Sequence, residues 1–246
     1  GLRILFIARH FPPAVSGGAR RPYFLAKYLE ALGNRVFVVA PSLPDDINGV
    51  ALAHHSRDPR TDEGQDTRKR SLKSKARAFF RDWLLWPDPD IRWGKKAARL
   101  AKKSCPFTPD WIISTSPPES IHVAGRELKR YFSCLWLADF RDPWFDQPLR
   151  IQRRGFLRSR LEKVIARHLL YDVDAMMAVD GNILSEAVGL TRNKVATLEL
   201  GHFTIPTKQP EVFDVEGFNL LHTGQISLSD PDRNIAIPLQ QFEKAW

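Results

Sequence analysis

The stretch Leu2-Arg3-Ile4-Leu5-Phe6-Ile7-Ala8 opens the chain as an apolar run with β-branched content, the pattern of a buried strand. Arg9 to Gly18 follows as a loop, punctuated by Pro12-Pro13 and Gly17-Gly18. Beyond it Phe24, Leu25, Tyr28, Leu29 and Leu32 recur at helical spacing, with Pro22 tolerable in the first turn. Gly33-Asn34 supplies a stop, and Val36-Phe37-Val38-Val39-Ala40 reads as a second strand. Strand, helix and strand in immediate succession make a βαβ unit, whose crossover sets the two strands parallel.

Outward from this unit the alternation continues. Gly49 to His54 fits a short third strand, followed by a polar stretch through Thr67. Helices fit 71–86 and 91–103, separated by Pro87 and Pro89. Trp111 to Thr115 reads as a strand, Ser120 to Phe132 as a helix and Leu135 to Ala138 as a strand. A helix over 155–171 would place Leu157, Leu161, Val164, Ile165 and Leu169 on one face. Ala175 to Val179, 181–189 and Val195 to Leu198 then give strand, helix and strand. Such alternation predicts an α/β fold, a Rossmann-like doubly wound parallel sheet over residues 1–204. Residues 205–217 read as a linker. Residues 218–246, with one strand and one helix, cannot bury a core alone and read as the truncated start of a second lobe.

Of the 246 residues 43% are hydrophobic, enough for a core, and no apolar run approaches the length of a membrane span. Gly1 to Ala8 is too short for a leader, and Cys105 and Cys134 are too few for a disulfide framework or a zinc site. A cytoplasmic protein is the simplest expectation. The formal charge of +9 is regional: residues 68–103 carry +10 and residues 150–168 carry +6, against −7 for the remainder. Regional basicity suits an anionic surface, although a solvated helix face gives the same pattern.

In open α/β sheets ligands bind at the carboxyl ends of the strands, so three loops carry the candidate chemistry. In the first, Gly17 and Gly18 let backbone approach a ligand at a helix N-terminus, with Arg20 and Arg21 adding charge. That chemistry suits a diphosphate; a plain Gly-rich turn is the alternative, and the spacing is not GxGxxG. The second loop, Ser114 to His122, offers Ser116, a Ser120 N-cap and His122, which faces either a substrate or the core. In the third, Asp139, Arg141 and Asp142 could hold sugar hydroxyls with Trp144 as a stacking platform; an Arg141–Asp142 brace is the alternative. Asp-x-Asp recurs at Asp88, Asp172 and Asp230 without strand-end placement, so no metal is expected there. HExxH and GxSxG are absent.

In order along the chain, Phe11-Pro12-Pro13…Gly17-Gly18, Leu25-Ala26-Lys27-Tyr28-Leu29, Gly33-Asn34-Arg35-Val36, Pro87-Asp88…Trp93, Asp110 to Pro118 and Asp139 to Trp144 resemble retaining GT-B glycosyltransferases of the family-four type. The resemblance runs from residue 2 to about 200. It implies an N-terminal acceptor-binding lobe whose Gly17-Gly18 loop meets the diphosphate of a nucleotide-sugar co-substrate. It further implies a cleft lined by Ser116 to Ser120 and Asp139 to Trp144. Asp139, Arg141, Asp142 and His122 become candidate catalytic residues, Gly17, Gly18, Arg20, Arg21, Gly224 and Arg233 candidate donor contacts, and Ser116, Ser120 and Trp144 candidate acceptor contacts. Two departures stand out. Ser116 replaces a histidine common in relatives, and Leu200-Gly201-His202-Phe203 replaces their Asn-Gly-x-Asp.

The function expected is transfer of a sugar to a polysaccharide or lipid-linked acceptor, by an N-terminal fragment inactive alone. Phe79, Phe80, Trp83, Leu84, Leu85 and Trp86 interleave with the cations of 68–103, suiting a peripheral seat on the anionic inner face of a membrane. A non-catalytic nucleotide- or phosphate-binding module is the alternative. The absence of helix-turn-helix, zinc-finger and RNA-recognition signatures argues against nucleic acid.

Overall fold

The computed structural model describes residues 1–14, 17–53, 86–145, 160–191 and 194–197. All belong to the first of two compact units, Gly1–Phe203, the second being Thr204–Trp246. The helix expected over 71–86 (all but its last residue), the linker at 205–217 and the lobe start at 218–246 lie outside the described residues.

Seven strands form one all-parallel sheet: β1 Arg3–Ala8, β2 Arg35–Ala40, β3 Gly49–Ala51, β4 Trp111–Ser116, β5 Leu135–Phe140, β6 Ala175–Ala178 and β7 Lys194–Thr197. Their order is β3-β2-β1-β4-β5-β6-β7. The chain therefore winds outward from β1 in one direction, returns, and winds outward from β4 in the other. That arrangement is Rossmann-like and doubly wound, with its topological switch point between β1 and β4. The helices are α1 Gly17–Ala31, α2 Ile91–Ser104, α3 Ser120–Phe132, a helix described over 160–170 (α4) and α5 Gly181–Val188.

Alternation along the strands builds two cores. Ile4, Phe6, Val36 and Val38 pack with Phe11 and with Ala26 of α1 on one face. Leu5, Ile7, Val39, Ile112 and Trp136 pack with residues of α2, α3 and α4 on the other. Right-handed crossovers in opposite senses from the switch point place α1 against the first face and the other helices against the second.

Two helix faces differ from the sequence expectation. In α1 the buried positions are Ala19, Arg21, Pro22 and Ala26, while Tyr28 points outward and Leu32, just beyond the helix, is exposed. In α4 they are Glu162, Ala166, Leu169 and Leu170, so Leu161 and Val164 lie outside. In both, an alanine turned to the sheet brings the helix axis close, a geometry that a stripe of large apolar residues does not allow. Gly125 serves the same end in α3: a Cβ there would fall 2.5 Å from Trp136 Nε1. Gly33, at φ 81°, takes the left-handed conformation that ends α1, as Gly33-Asn34 suggests.

Candidate functional site

The carboxyl ends of β4 and β5 and the start of α1 meet at the guanidinium of Arg141. Its Nε donates to Ser116 O at 2.8 Å, its Nη2 to Pro117 O at 2.7 Å and its Nη1 to Gly18 O. One planar fork thus ties the start of α1 to the β4–α3 loop. Burial lowers the Arg141 pKa from its ordinary value, and the charges of Asp139 and Asp142 act against that shift. A Cβ at Gly18 would lie 2.5 Å from Nη1 of Arg141, so a side chain there would displace the guanidinium from this position. The expected Arg141–Asp142 brace is replaced by these carbonyl contacts, and Asp142 is exposed.

Beneath this fork lies a buried ion pair. Arg21 Nη2 donates to Asp139 Oδ1 at 3.0 Å, and Thr115 Oγ1 donates to Asp139 Oδ2 at 2.8 Å. Asp139 lies inside β5, which runs two residues past the end expected at Ala138, and Ser116 Oγ donates to its carbonyl at 3.3 Å. Gly18, Arg21, Ser116, Asp139 and Arg141 therefore come together as one bonded assembly. Arg20 stands exposed on the first turn of α1 beside it.

Other expected site residues sit elsewhere. His122 is fully buried beside Phe140, its Nδ1 2.9 Å from Ser114 Oγ, which accepts from Trp136 Nε1 at 2.8 Å. Burial pushes its pKa down to about 3, so the ring is neutral at physiological pH and faces the core rather than a substrate. Trp144, 1% exposed, is enclosed by Phe140, Phe145 and Trp86 and offers no open face to a sugar. The backbone N–H groups of Trp144 and Phe145 both donate to Glu186 Oε1 on α5. Ser120 is buried at the start of α3. The N-cap role expected of Ser120 falls to Asp88 instead, whose Oδ2 accepts from the Ser120 N–H at 2.7 Å. Gly224 and Arg233 lie outside the described residues.

Sequence reading missed Asp88 as this cap. Burial, then the nearby charge of Glu119, raises its pKa to about 6. Its neighbour Asp90 pairs with Arg9 at 3.0 Å. Asp172 pairs with Arg126 and Arg130, and Asp174 with Lys129. Two of the three Asp-x-Asp pairs are thus engaged by protein groups; Asp230 and Asp232 lie outside the described residues. Among the described residues no group of three His, Cys, Asp or Glu side chains is placed to hold a metal.

Two helix N-termini flank the switch point, and they differ. That of α3 is closed by the Asp88 carboxylate. That of α1 starts on Gly17 and Gly18 and carries Arg20 exposed in its first turn. The all-parallel sheet, its switch point between β1 and β4 and the helices on both faces define an α/β protein of Rossmann-like class. Set against models of known protein families and against curated protein sequences, the chain matches none.

Proposed function

We propose that the chain is the acceptor-side lobe of a retaining GT-B glycosyltransferase that uses a nucleotide sugar. It transfers the sugar to a polysaccharide or lipid-linked acceptor at the cytoplasmic face of a membrane. One observation carries this reading: at the switch point α1 starts on Gly17 and Gly18 with Arg20 exposed in its first turn, while the neighbouring α3 N-terminus is closed by Asp88. A diphosphate is the ligand such a site suits. Positive potential there stabilises negative charge as it develops on a leaving diphosphate. Arg141 acts by fixing the Gly18 backbone in place, and Arg21–Asp139 anchors α1 beneath it. In this reading Gly224 and Arg233 belong to the donor side, and no metal is needed.

A second reading, a non-catalytic nucleotide-binding module, draws on the commitment of Asp139 to Arg21 and Thr115, which takes one candidate acid–base group out of play.

Thermal-shift titration of the full chain with UDP, GDP and their sugars tests both. A ligand at about a hundred times its Kd adds roughly 2.7 kcal/mol, or about 5–10 °C in Tm for a chain of this size. Arg20→Glu is expected to weaken that shift about tenfold in ligand concentration without lowering the unliganded Tm, because an acid suits a helix N-terminus. If no nucleotide moves Tm, or Arg20→Glu titrates like wild type, the diphosphate site is wrong. Release of nucleoside diphosphate in the presence of glycan or lipid-linked acceptors, once the second lobe is supplied, favours the transferase; binding without release even then favours the module.

A further inference from the structure

The outward face of α4 has a composition that solvation alone does not explain. From 160 to 171 every exposed position is basic, apolar or histidine, and the sole acid of the stretch, Glu162, is buried. Leu161, Val164 and Tyr171 are 51%, 61% and 77% exposed and recur with helical spacing, so they form one stripe. Lys163 and Arg167 flank the stripe, and His168 interrupts it. An exposed face that serves only solubility mixes charges of both signs and carries few large apolar groups. The preceding residues 150–158 add Arg150, Arg153, Arg154 and Arg158 with no acid.

The same side of the sheet carries α2. Its exposed positions include Arg92, Lys95, Lys96 and Arg99, and the helix contains no acid. The two helices pack into one core through Trp93, Ala97 and Ala98 of α2 and Ala166, Leu169 and Leu170 of α4. One helical layer therefore presents cations from α2 and cations with apolar side chains from α4.

We propose that the outward face of α4 docks this protein on an anionic lipid surface. Leu161, Val164 and Tyr171 enter the boundary between headgroups and acyl chains, while Lys163 and Arg167 reach lipid phosphates with their stems lying along the apolar stripe. The cations of α2 add long-range attraction. A nucleic acid would engage the cations but leave Leu161 and Val164 in water, and a purely electrostatic surface has no use for them. The proposal is independent of the nucleotide site at the start of α1.

Flotation of the full chain with vesicles tests it, using phosphatidylcholine alone and phosphatidylcholine with a third phosphatidylglycerol. Binding is expected only to the anionic vesicles. Leu161→Asp with Val164→Asp is expected to cut partitioning roughly tenfold or more. Lys95→Glu with Lys96→Glu on α2 is expected to cut it by less. Tyr171→Ser, beyond the helix end, is expected to lower partitioning in the same direction, which keeps the test valid if the paired aspartates melt α4. Equal binding to both vesicle types overturns the proposal, as does undiminished binding by the Tyr171→Ser and paired-aspartate variants. Capture of the chain by a single-stranded oligonucleotide with no vesicle binding overturns it as well.

Discussion

Arg21 and Asp139 show what a buried charge requires of its neighbours. Side-chain exposure is 4% for Arg21 and 0% for Asp139, so removing one partner strands the other in a low-dielectric interior. Arg21→Met is expected to cost roughly 3–5 kcal/mol in urea denaturation; a loss below about 1 kcal/mol would mean that Thr115 alone satisfies Asp139. Asp88 and His122 make an opposed pair. Asp88 is raised to about 6 by burial and by Glu119, so its folded form holds a proton that the unfolded chain has lost. Its contribution to stability is present below the unfolded carboxylate range and is lost as pH rises through about 6. His122 is held down to about 3 by burial, so its contribution is present above the unfolded imidazole value and is lost as pH falls toward 3. Between about pH 4 and 6 the two slopes, each about 1.4 kcal/mol per pH unit, cancel. Asp88→Asn is therefore expected to lose stability on acidification through that window faster than wild type. Parallel curves for the two proteins would show that Asp88 does not titrate there. Single positions such as Asp139 and Arg141 were legible as charges gathered at a strand end, which is where the fold puts them. Their partners were not, since Arg21 lies 118 positions from Asp139 and Gly18 123 from Arg141.

Among the elements, α3 ends at a residue of the wrong type for its conformation. Ser133 sits at φ 53° and ψ 44°, in the left-handed region where a side chain is strained, while its N–H donates to Lys129 O. Ser133→Gly keeps that bond and relieves the strain, so it is expected to raise stability by about 0.5–1 kcal/mol, read as a small upward shift in the urea midpoint. A lowered midpoint would mean that added freedom in the unfolded chain outweighs the relief. Element existence was legible from periodicity at β1, β2, β4 and α3, where apolar runs and turn residues agree. The buried faces of α1 and α4 were legible in part: Leu25 and Leu29 pack against the core and Leu169 is buried as expected, while Tyr28, Leu161 and Val164 face outward. Periodicity marks large apolar residues, whereas the sheet selected Ala19, Ala26 and Ala166 for close approach. The Leu161 and Val164 stripe of α4 obeys the same period and points to the outside.

On the scale of the whole molecule, alternating strands and helices made the doubly wound class readable before any coordinates. The strand order was less so, because nothing local says that β4 returns beside β1. That return creates the switch point, and with it the site. Among the described residues no helix is long and apolar enough to cross a membrane. The lipid contact proposed for α4 is a surface contact, governed by the charge and the apolar stripe of one helical layer.

The pairing of β1 with β4 also has a consequence for how the chain is made. Arg3 N–H donates to Asp110 Oδ2 across 107 positions, and Ile4 aligns with Trp111 in the sheet. β1 can pair with β2 as soon as the first βαβ unit is complete, but its other edge has no partner until β4 emerges. At about 5–20 residues per second of synthesis, that edge waits roughly 5–20 s. For that interval an interior strand of the finished sheet is an open template for stray pairing, and rapid translation or a chaperone that covers β1 should raise the yield of folded protein.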